Sequence, residues 1–303
     1  MDRKSDTQME ERLKELFDED RGNFSERPGA AQEGGATSHS GRTPSTKRKK
    51  AKRESRTSDW IFRIIILALL CVIGYSGYQL IKIQWNYHKG ASTYEDFSQL
   101  AGEPDVGKIA WEELKAQNED VVGWLYSEDT VINYPVVQGT DNDFYLEHLV
   151  NKEWNGAGTL FIDYQCENPL QDFNTILYGH HMKDGSMFQS LVNYRDTEGY
   201  YKEHAVMQLY TPEQDYDLEI FGAATIPADS DRYRYYFGEP EDKTSYITWI
   251  QDHNEIPGME YGQVPVTADD TILMMSTCTY EFENARLVVW AKIVPRAGAS
   301  SGE

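Results

Sequence analysis

The pattern of hydrophobic and polar residues changes twice along the 303-residue chain. Residues 60–83 form a mostly apolar run, and a helix needs about 20 such residues to cross a bilayer. Residues 84–119 then carry apolar side chains at helical spacing, with Tyr94, Phe97 and Leu100 along one face. After this segment, short apolar runs and alternating positions indicate β-strands. The pattern therefore predicts a membrane-spanning helix, a helical segment and a β-rich domain.

The β-rich part contains eight candidate strands, which are rich in β-branched and aromatic residues and separated by Gly, Asn and Asp turns. They read VVGWLY, TVINYPVVQ, GTLFIDY, NTILYGHH, AVMQLYT, DYDLEIFGAATI, TILMMST and RLVVWAKIV. Such strands favour a barrel or a sandwich. Two helices are predicted between them: Ser186 would cap SMFQSLVNY, and one face of KTSYITWIQDHN carries Tyr246, Ile247, Trp249, Ile250 and His253.

Charge is unevenly divided along the chain, whose net charge is −21. Residues 1–59 carry 14 basic and 12 acidic side chains, and residues 60–303 carry 15 basic and 38 acidic ones. An acidic body of this kind repels nucleic-acid phosphates, which argues against a nucleic-acid partner. Residues 1–59 are poor in aliphatic side chains, so a disordered tail is predicted there.

The orientation of the apolar run follows from the basic stretch before it. KRKKAKRESR, residues 47–56, contains seven basic groups and one acidic group, and basic residues stay on the cytoplasmic side. A tail of 59 residues is too long for the charged region of a signal peptide, and no small-x-small cleavage site follows the run. We therefore predict a cytoplasmic tail at 1–59, a transmembrane signal-anchor helix at 60–83 and an extracellular domain at 84–303.

Of the three cysteines, Cys71 lies in the apolar run, which leaves Cys166 and Cys278 in the predicted domain. Cys278 closes one apolar run and Arg286 opens the next. Cys278 is either a small buried residue at a strand end or a nucleophile, and a nucleophile needs a group that favours its thiolate. If the two runs form a hairpin, Arg286 lies beside Cys278.

The competing interpretation makes Arg286 a surface residue that pairs with Glu281 or Glu283. Seven histidines are candidates for an acid or base, and His180 and His181 stand out because they end a candidate strand after a glycine. Two adjacent histidines are as often a hydrogen-bonded loop pair or an adventitious metal site as they are catalytic residues. No HExxH, CxxC or EF-hand spacing occurs, so neither a metal site nor a cofactor is predicted.

Two of these regions carry a family resemblance. YGHHMKDGSMFQSL at 178–191 and MMSTCTYEFENARLVVWAKIV at 274–294 resemble the two signature regions of sortases, the membrane-anchored cysteine transpeptidases of Gram-positive bacteria. The resemblance extends over about 84–296, and NYPVVQGTDNDFYLEHL at 133–149 resembles the class B segment that borders the substrate groove. It implies a mostly β fold: an eight-stranded barrel with N-terminal helices and a helix-bearing insertion before the Cys strand.

The resemblance also implies site residues and a mechanism. Its catalytic residues would be His180, Cys278 and Arg286, and its substrate-binding residues would be Asn142, Leu146, Tyr178 and Ser276. The cysteine would attack a Thr carbonyl in a C-terminal sorting motif to form a thioacyl enzyme, the histidine would protonate the leaving amine, and the arginine would donate hydrogen bonds. The implied partners are surface proteins with an LPxTG-like or NPxTN-like motif, and an amine of peptidoglycan or its lipid-linked precursor.

One departure from the family pattern concerns substrate preference. Met274 and Met275 stand where the family has Thr and Leu. Two other functions remain open: a membrane-anchored hydrolytic cysteine peptidase using the same three residues, and a non-catalytic surface assembly scaffold. Because a disulfide would silence Cys278 as a nucleophile, Cys166 is predicted to be a free thiol.

Overall fold

The computed structural model describes residues 56–103 and 108–296. Its first element is helix α1, Arg56–Ala101. By length and composition, the portion Trp60–Ala101 is long and apolar enough to cross a membrane. The chain divides after Ile83 into two units, and every strand of the described residues lies in the second unit. The predictions for residues 1–55 lie outside the described residues.

The helical segment predicted at 84–119 is interrupted. After α1, β1 (Gly102–Glu103) pairs antiparallel with β2 (Lys108–Ile109), and α2 follows at Trp111–Gln117. Gly102 has a φ of 97°, a conformation that glycine adopts readily and that ends a helix. The interruption therefore has a local cause that apolar spacing does not reveal.

The eight longer strands form a closed barrel. They are β3 (Val121–Tyr126), β4 (Asn133–Val137), β5 (Leu160–Ile162), β6 (Asn174–Tyr178), β7 (Val206–Tyr210), β8 (Tyr216–Pro227), β9 (Ile272–Cys278) and β10 (Ala285–Pro295). Around the barrel the order is β10, β8, β7, β3, β4, β5, β6, β9. The pairs β4–β5 and β6–β9 are parallel and the others antiparallel. Each predicted strand is present, and the barrel rather than the sandwich is confirmed.

Within residues 108–296, three further helices interrupt the strands. They are α3 (Asn193–Asp196), α4 (Tyr200–Glu203) and α5 (Pro240–Asp252), and 3₁₀ turns lie at Phe144–Leu146 and Gln189–Val192. The prediction that Ser186 caps a helix is wrong. Its hydroxyl donates to the Asp184 carboxylate at 2.6 Å, and the first helical turn begins three residues later at Gln189.

Helix α5, in the insertion between β8 and β9, packs against β8. Its side chains Tyr246, Ile247 and Ile250 are buried. A Cβ added at Gly222 would lie 2.6 Å from Cγ2 of Ile250, so this glycine allows the close approach of helix and strand. His253, predicted on the apolar face, is exposed, and its Nδ1 lies 2.8 Å from the Trp249 carbonyl oxygen.

Candidate active site

Cys278 and Arg286 lie opposite each other at one end of the β9–β10 pair. Their exposed fractions are 8% and 7%. The turn between the strands is closed by a hydrogen bond from the Thr279 amide to the Ala285 carbonyl at 3.1 Å. The predicted hairpin is therefore present, and the interpretation of Arg286 as a surface residue is wrong.

His180 reaches the same end of the barrel from a different strand. Strand β6 runs parallel to β9, with Tyr178 opposite Ser276, and the Gly179 amide continues the pairing by donating to the Ser276 carbonyl at 3.1 Å. His180 lies two residues after Tyr178, and Cys278 lies two residues after Ser276. Parallel strands leave a sheet edge in the same direction, so both side chains stand at one rim.

The imidazole of His180 is fixed through one ring nitrogen. Its Nε2 lies 2.7 Å from the carbonyl oxygen of Leu146. A carbonyl oxygen only accepts hydrogen bonds, so Nε2 carries the hydrogen and donates it. In the neutral ring Nδ1 is therefore the nitrogen with the free lone pair, available to take up and release a proton.

Gly158 fits closely against this arrangement. It has a φ of 59°, and a Cβ added there would lie 2.6 Å from the Tyr145 carbonyl oxygen, 2.7 Å from the Leu146 carbonyl oxygen and 3.0 Å from Cδ2 of His180. Two of these neighbours are backbone atoms, which do not move aside easily. Glycine is therefore required here for both conformation and space.

Burial shifts the pKa values of Cys278 and His180 in opposite directions. It raises the pKa of the Cys278 thiol, and the nearby Arg286 guanidinium opposes that shift. Burial lowers the pKa of His180, Arg286 lowers it further, and the hydrogen bond to the Leu146 carbonyl raises it in part. Near neutral pH the resting pair is therefore a thiol and a neutral imidazole. A thiolate would have to form during a reaction in which Cys278 is the nucleophile.

The predicted substrate-binding residues extend the site away from Cys278. Ser276 and the Tyr233 hydroxyl form a hydrogen bond of 2.7 Å. Tyr178 stacks on Tyr233 with ring centroids 6.2 Å apart, and its hydroxyl donates to Asp163 at 3.0 Å. Ser276 and Tyr178 are thus joined in one polar and aromatic cluster through a residue that sequence reasoning missed.

The two other predicted binding residues come from the segment after β4. The side-chain oxygen of Asn142 accepts a hydrogen bond from the Tyr164 amide at 3.1 Å, next to Asp163 of the cluster. Leu146 holds the imidazole through its backbone carbonyl, and its side chain is partly buried against the core.

Tyr233 is held on both sides by buried side chains. The Tyr246 hydroxyl donates to the Arg232 carbonyl at 2.7 Å, and Nδ2 of Asn174 donates to the Arg234 carbonyl at 2.6 Å. The sequence shows only an aromatic-rich stretch, DRYRYYFG, in the insertion. Nothing in that composition indicates which tyrosine faces Ser276.

The neighbouring His181 and Cys166 differ from the central residues. His181 hydrogen-bonds the backbone of Cys278, and its ring lies edge-on to Tyr280 with centroids 5.4 Å apart. Cys166 is a buried free thiol, as predicted, and burial raises its pKa to about 11. Such a thiol is protonated and unreactive at neutral pH.

Comparisons with known proteins identify the family of the chain. The family model for the sortase domain matches residues 125–294. A sortase B from Listeria monocytogenes is 36% identical over 186 residues, which is 61% of this chain and 74% of that protein. A sortase B from Staphylococcus aureus is 29% identical over 238 residues, covering 76% of this chain and 96% of that protein.

Solved structures extend the likeness to the fold. A Staphylococcus aureus sortase B–substrate complex has a TM-score of 0.64 at 29% identity, covering 70% of this chain and 100% of that one. The Clostridium perfringens sortase B structure has a TM-score of 0.56 at 33% identity, covering 61% of this chain and 100% of that one. With its closed eight-stranded barrel and its matched domain, the chain belongs to the sortase family and is a class B sortase-type transpeptidase.

Proposed function

We propose that Cys278 is the nucleophile, His180 the acid and base, and Arg286 the hydrogen-bond donor of this transpeptidase. The observation that carries the proposal is the direct opposition of Cys278 and Arg286 across β9 and β10. The Arg286 cation favours the thiolate, which makes the cysteine reactive. We infer that its guanidinium donates hydrogen bonds to the oxyanion that forms during acyl transfer.

In the first half of the proposed reaction, Cys278 Sγ attacks the carbonyl carbon of a Thr in a C-terminal sorting motif. The tetrahedral oxyanion accepts hydrogen bonds from Arg286. The C–N bond after the Thr breaks, the leaving amine takes the proton from His180 Nδ1, and a thioester remains on Cys278. The proton comes originally from the thiol, so charge and atoms balance.

In the second half, an amine attacks the thioester carbonyl and gives a proton to His180. The C–S bond breaks and an amide forms, which returns the thiolate and imidazolium. An amino group of peptidoglycan or of its lipid-linked precursor is the proposed acceptor. One solved sortase B is complexed with a glycine tripeptide, which supports a primary amine in this role.

The proposed substrates are surface proteins with an LPxTG-like or NPxTN-like motif. One similar solved structure is a Staphylococcus aureus sortase B–substrate complex, which supports a bound substrate in this groove. Asn142, Leu146, Tyr178 and Ser276 are the proposed groove residues. Tyr178 and Tyr233 stack beside Ser276 and are partly exposed, which is consistent with such a ligand.

The proposed topology sets the reaction outside the cell. A cytoplasmic tail at 1–59 and an anchor at 60–83 would leave the catalytic domain, residues 84–303, on the extracellular side of the cell membrane. Substrate precursors and cell-wall intermediates both occur on that side. The apolar helix beginning at Trp60 and the division of the chain after Ile83 support these boundaries.

The test uses the full-length chain in detergent micelles with a panel of quenched LPxTG-like and NPxTN-like peptides, with and without triglycine. We expect cleavage after Thr, a covalent peptide adduct by mass spectrometry, and ligated product when triglycine is present. Cys278→Ala should lose the adduct and all cleavage. Cys166→Ala, which removes the other buried thiol, should remain active. Cleavage by Cys278→Ala, or hydrolysis alone at high triglycine, would contradict the proposal.

A further inference from the structure

The end of helix α1 packs directly behind the candidate active site. We call residues 86–101 the docked segment. Its Tyr94 and Phe97 are buried in the core. The Tyr94 hydroxyl donates a hydrogen bond to the Gly158 carbonyl and lies 3.3 Å from Oγ1 of Thr159. Burial raises the pKa of Tyr94 well above its usual value, so the phenol keeps its proton and remains a donor.

A second link joins the docked segment to the same loop, which we call the support loop, residues 153–159. Nδ2 of Asn155, a residue only 1% exposed, donates to the Asn86 carbonyl at 2.8 Å. A Cβ at Gly90 would lie 3.6 Å from that nitrogen, so helix and loop are in van der Waals contact. The ion pair of Lys89 with Glu153 is exposed at 3.3 Å and adds little.

The support loop in turn holds the segment that contains Leu146. The Asn155 amide donates to the Glu147 carbonyl at 2.8 Å, and the Thr159 amide donates to the Tyr145 carbonyl at 2.9 Å. Oγ1 of Thr159 also donates to the His148 carbonyl at 2.9 Å. The carbonyls on both sides of Leu146 are therefore fixed by the loop that α1 supports.

These contacts converge on the imidazole of His180. The Leu146 carbonyl accepts its Nε2–H at 2.7 Å, and Gly158 lies against its ring. Loss of the Tyr94 hydrogen bond would leave the Gly158 carbonyl without that donor and loosen the loop at the point where it touches the ring. A looser Leu146 carbonyl would also weaken the selection of the tautomer that leaves Nδ1 free.

We propose that Tyr94 is a positioning residue for His180, acting through Gly158 and the Leu146 carbonyl. The proposal rests on the acid and base role proposed above for His180. The docked segment of α1 then supports the active site and also connects it to the apolar stretch. Tyr94 touches no reacting atom, and its contribution is to keep the imidazole in one orientation and one tautomer.

The matched pair of variants for the test is Tyr94→Phe and Tyr194→Phe in the full-length chain in detergent micelles. Each change removes one buried hydroxyl that donates to a backbone carbonyl, of Gly158 in the first case and of His204 in the second. The readouts are kcat and KM for peptide cleavage and the ¹⁵N shifts of His180, assigned by the loss of its signals in His180→Gln. Asn155→Ala, which cuts the link to Asn86, is the second variant should Tyr94→Phe fail to fold.

For Tyr94→Phe we expect kcat to fall about five- to tenfold, the scale of one neutral hydrogen bond, with KM nearly unchanged. The His180 ¹⁵N shifts should move from the pure Nε2–H tautomer towards a mixture. Tyr194→Phe should lose comparable thermal stability while keeping wild-type kcat and His180 shifts. Asn155→Ala should change both readouts in the same direction as Tyr94→Phe.

Unchanged His180 shifts in Tyr94→Phe, or an equal fall in kcat in both tyrosine variants, would overturn the positioning role. An active His180→Gln would instead overturn the proposed chemistry of His180. The nitrogen shifts report the position of the ring independently of activity, so the two failures are distinguishable.

Discussion

Arg286 lies directly across from Cys278 in the β9–β10 pair, and both side chains are almost fully buried. Two adjacent strands fix this pairing along their whole length, with Leu287 opposite Thr277 and Val288 opposite Ser276. The distance between the thiol and the guanidinium therefore depends on the register of the barrel rather than on a mobile loop.

Arg286→Ala should lower kcat/KM by about 10²–10³, the cost of removing one oxyanion donor. Arg286→Lys keeps a positive charge but loses the planar fork of donors, so we expect only partial recovery. Peptide cleavage by the three proteins at saturating and limiting substrate measures both effects. Full activity of the lysine variant would mean that charge alone suffices and that the fork has no role.

The pH dependence of activity should form a broad bell. The pKa of His180 is lowered from 6.5 and that of Cys278 is raised from 9.0, so kcat/KM should rise on a limb below pH 6.5 and fall on a limb above pH 9.0. Between the two limbs the resting pair is neutral. These limbs belong to the coupled pair rather than to either residue alone.

Arg286 lowers both pKa values, so Arg286→Ala should raise both. The pH midpoint of Cys278 alkylation by iodoacetamide should move upwards, and so should the NMR titration of His180. Arg286→Lys serves as the charge-preserving control and should restore most of both shifts. A downward movement of either midpoint would contradict the electrostatic role of Arg286.

Gly179→Ala should destabilise the protein and displace His180. A Cβ at this position would lie 2.5 Å from Cδ2 of Leu160 and 2.5 Å from Cδ2 of Phe188, a ring with little freedom to move. Overpacking of this kind costs about 1–3 kcal/mol. Thermal unfolding and peptide cleavage of the variant measure the two effects. Gly238→Ala, where no atom lies within 4 Å and φ is not positive, is the control and should leave stability and cleavage unchanged.

The hydrogen bond between Tyr233 and Ser276 should show as non-additive energetics. Tyr233→Phe and Ser276→Ala each remove one partner of the 2.7 Å bond, so the double variant should lose less than the sum of the single variants. We expect a coupling of about 0.5–1.5 kcal/mol in kcat/KM for the peptide. Tyr236→Phe changes an exposed tyrosine of the same insertion and should have no effect. Strict additivity would mean that the bond does not serve substrate binding.

The strands were predictable because they are short runs rich in β-branched and aromatic residues, separated by Gly, Asn and Asp turns. The hairpin of Cys278 and Arg286 followed from two such runs joined by a short turn, and its register confirms that expectation. The break after Ala101 was not predictable, because it depends on one glycine with a φ of 97° inside a helical pattern. The expected cap at Ser186 was wrong because Met187, directly after it, has a φ of 56°, and the first helical turn begins only at Gln189.

Other features of the site leave no pattern along the chain. The partner of the His180 imidazole is the backbone carbonyl of Leu146, 34 residues away, and every residue type carries such a carbonyl. Gly158 is one of 23 glycines, and only the fold brings it against the imidazole. The position of Tyr233 depends on hydrogen bonds that Asn174 and Tyr246 donate to the carbonyls of its two neighbours. Asn174 lies 60 residues from Arg234, and Tyr246 lies 14 residues from Arg232. Tertiary contacts of this kind became visible only in three dimensions.

Strand β9 lies between β6 and β10, and all seven of its residues, from Ile272 to Cys278, are buried. Its amide hydrogens can therefore reach solvent only when the barrel opens as a whole, so they should be among the slowest in the domain to exchange with deuterium. The candidate nucleophile thus sits at the end of one of the most protected segments. Heating should therefore expose the amide hydrogens of this strand only together with global unfolding of the barrel.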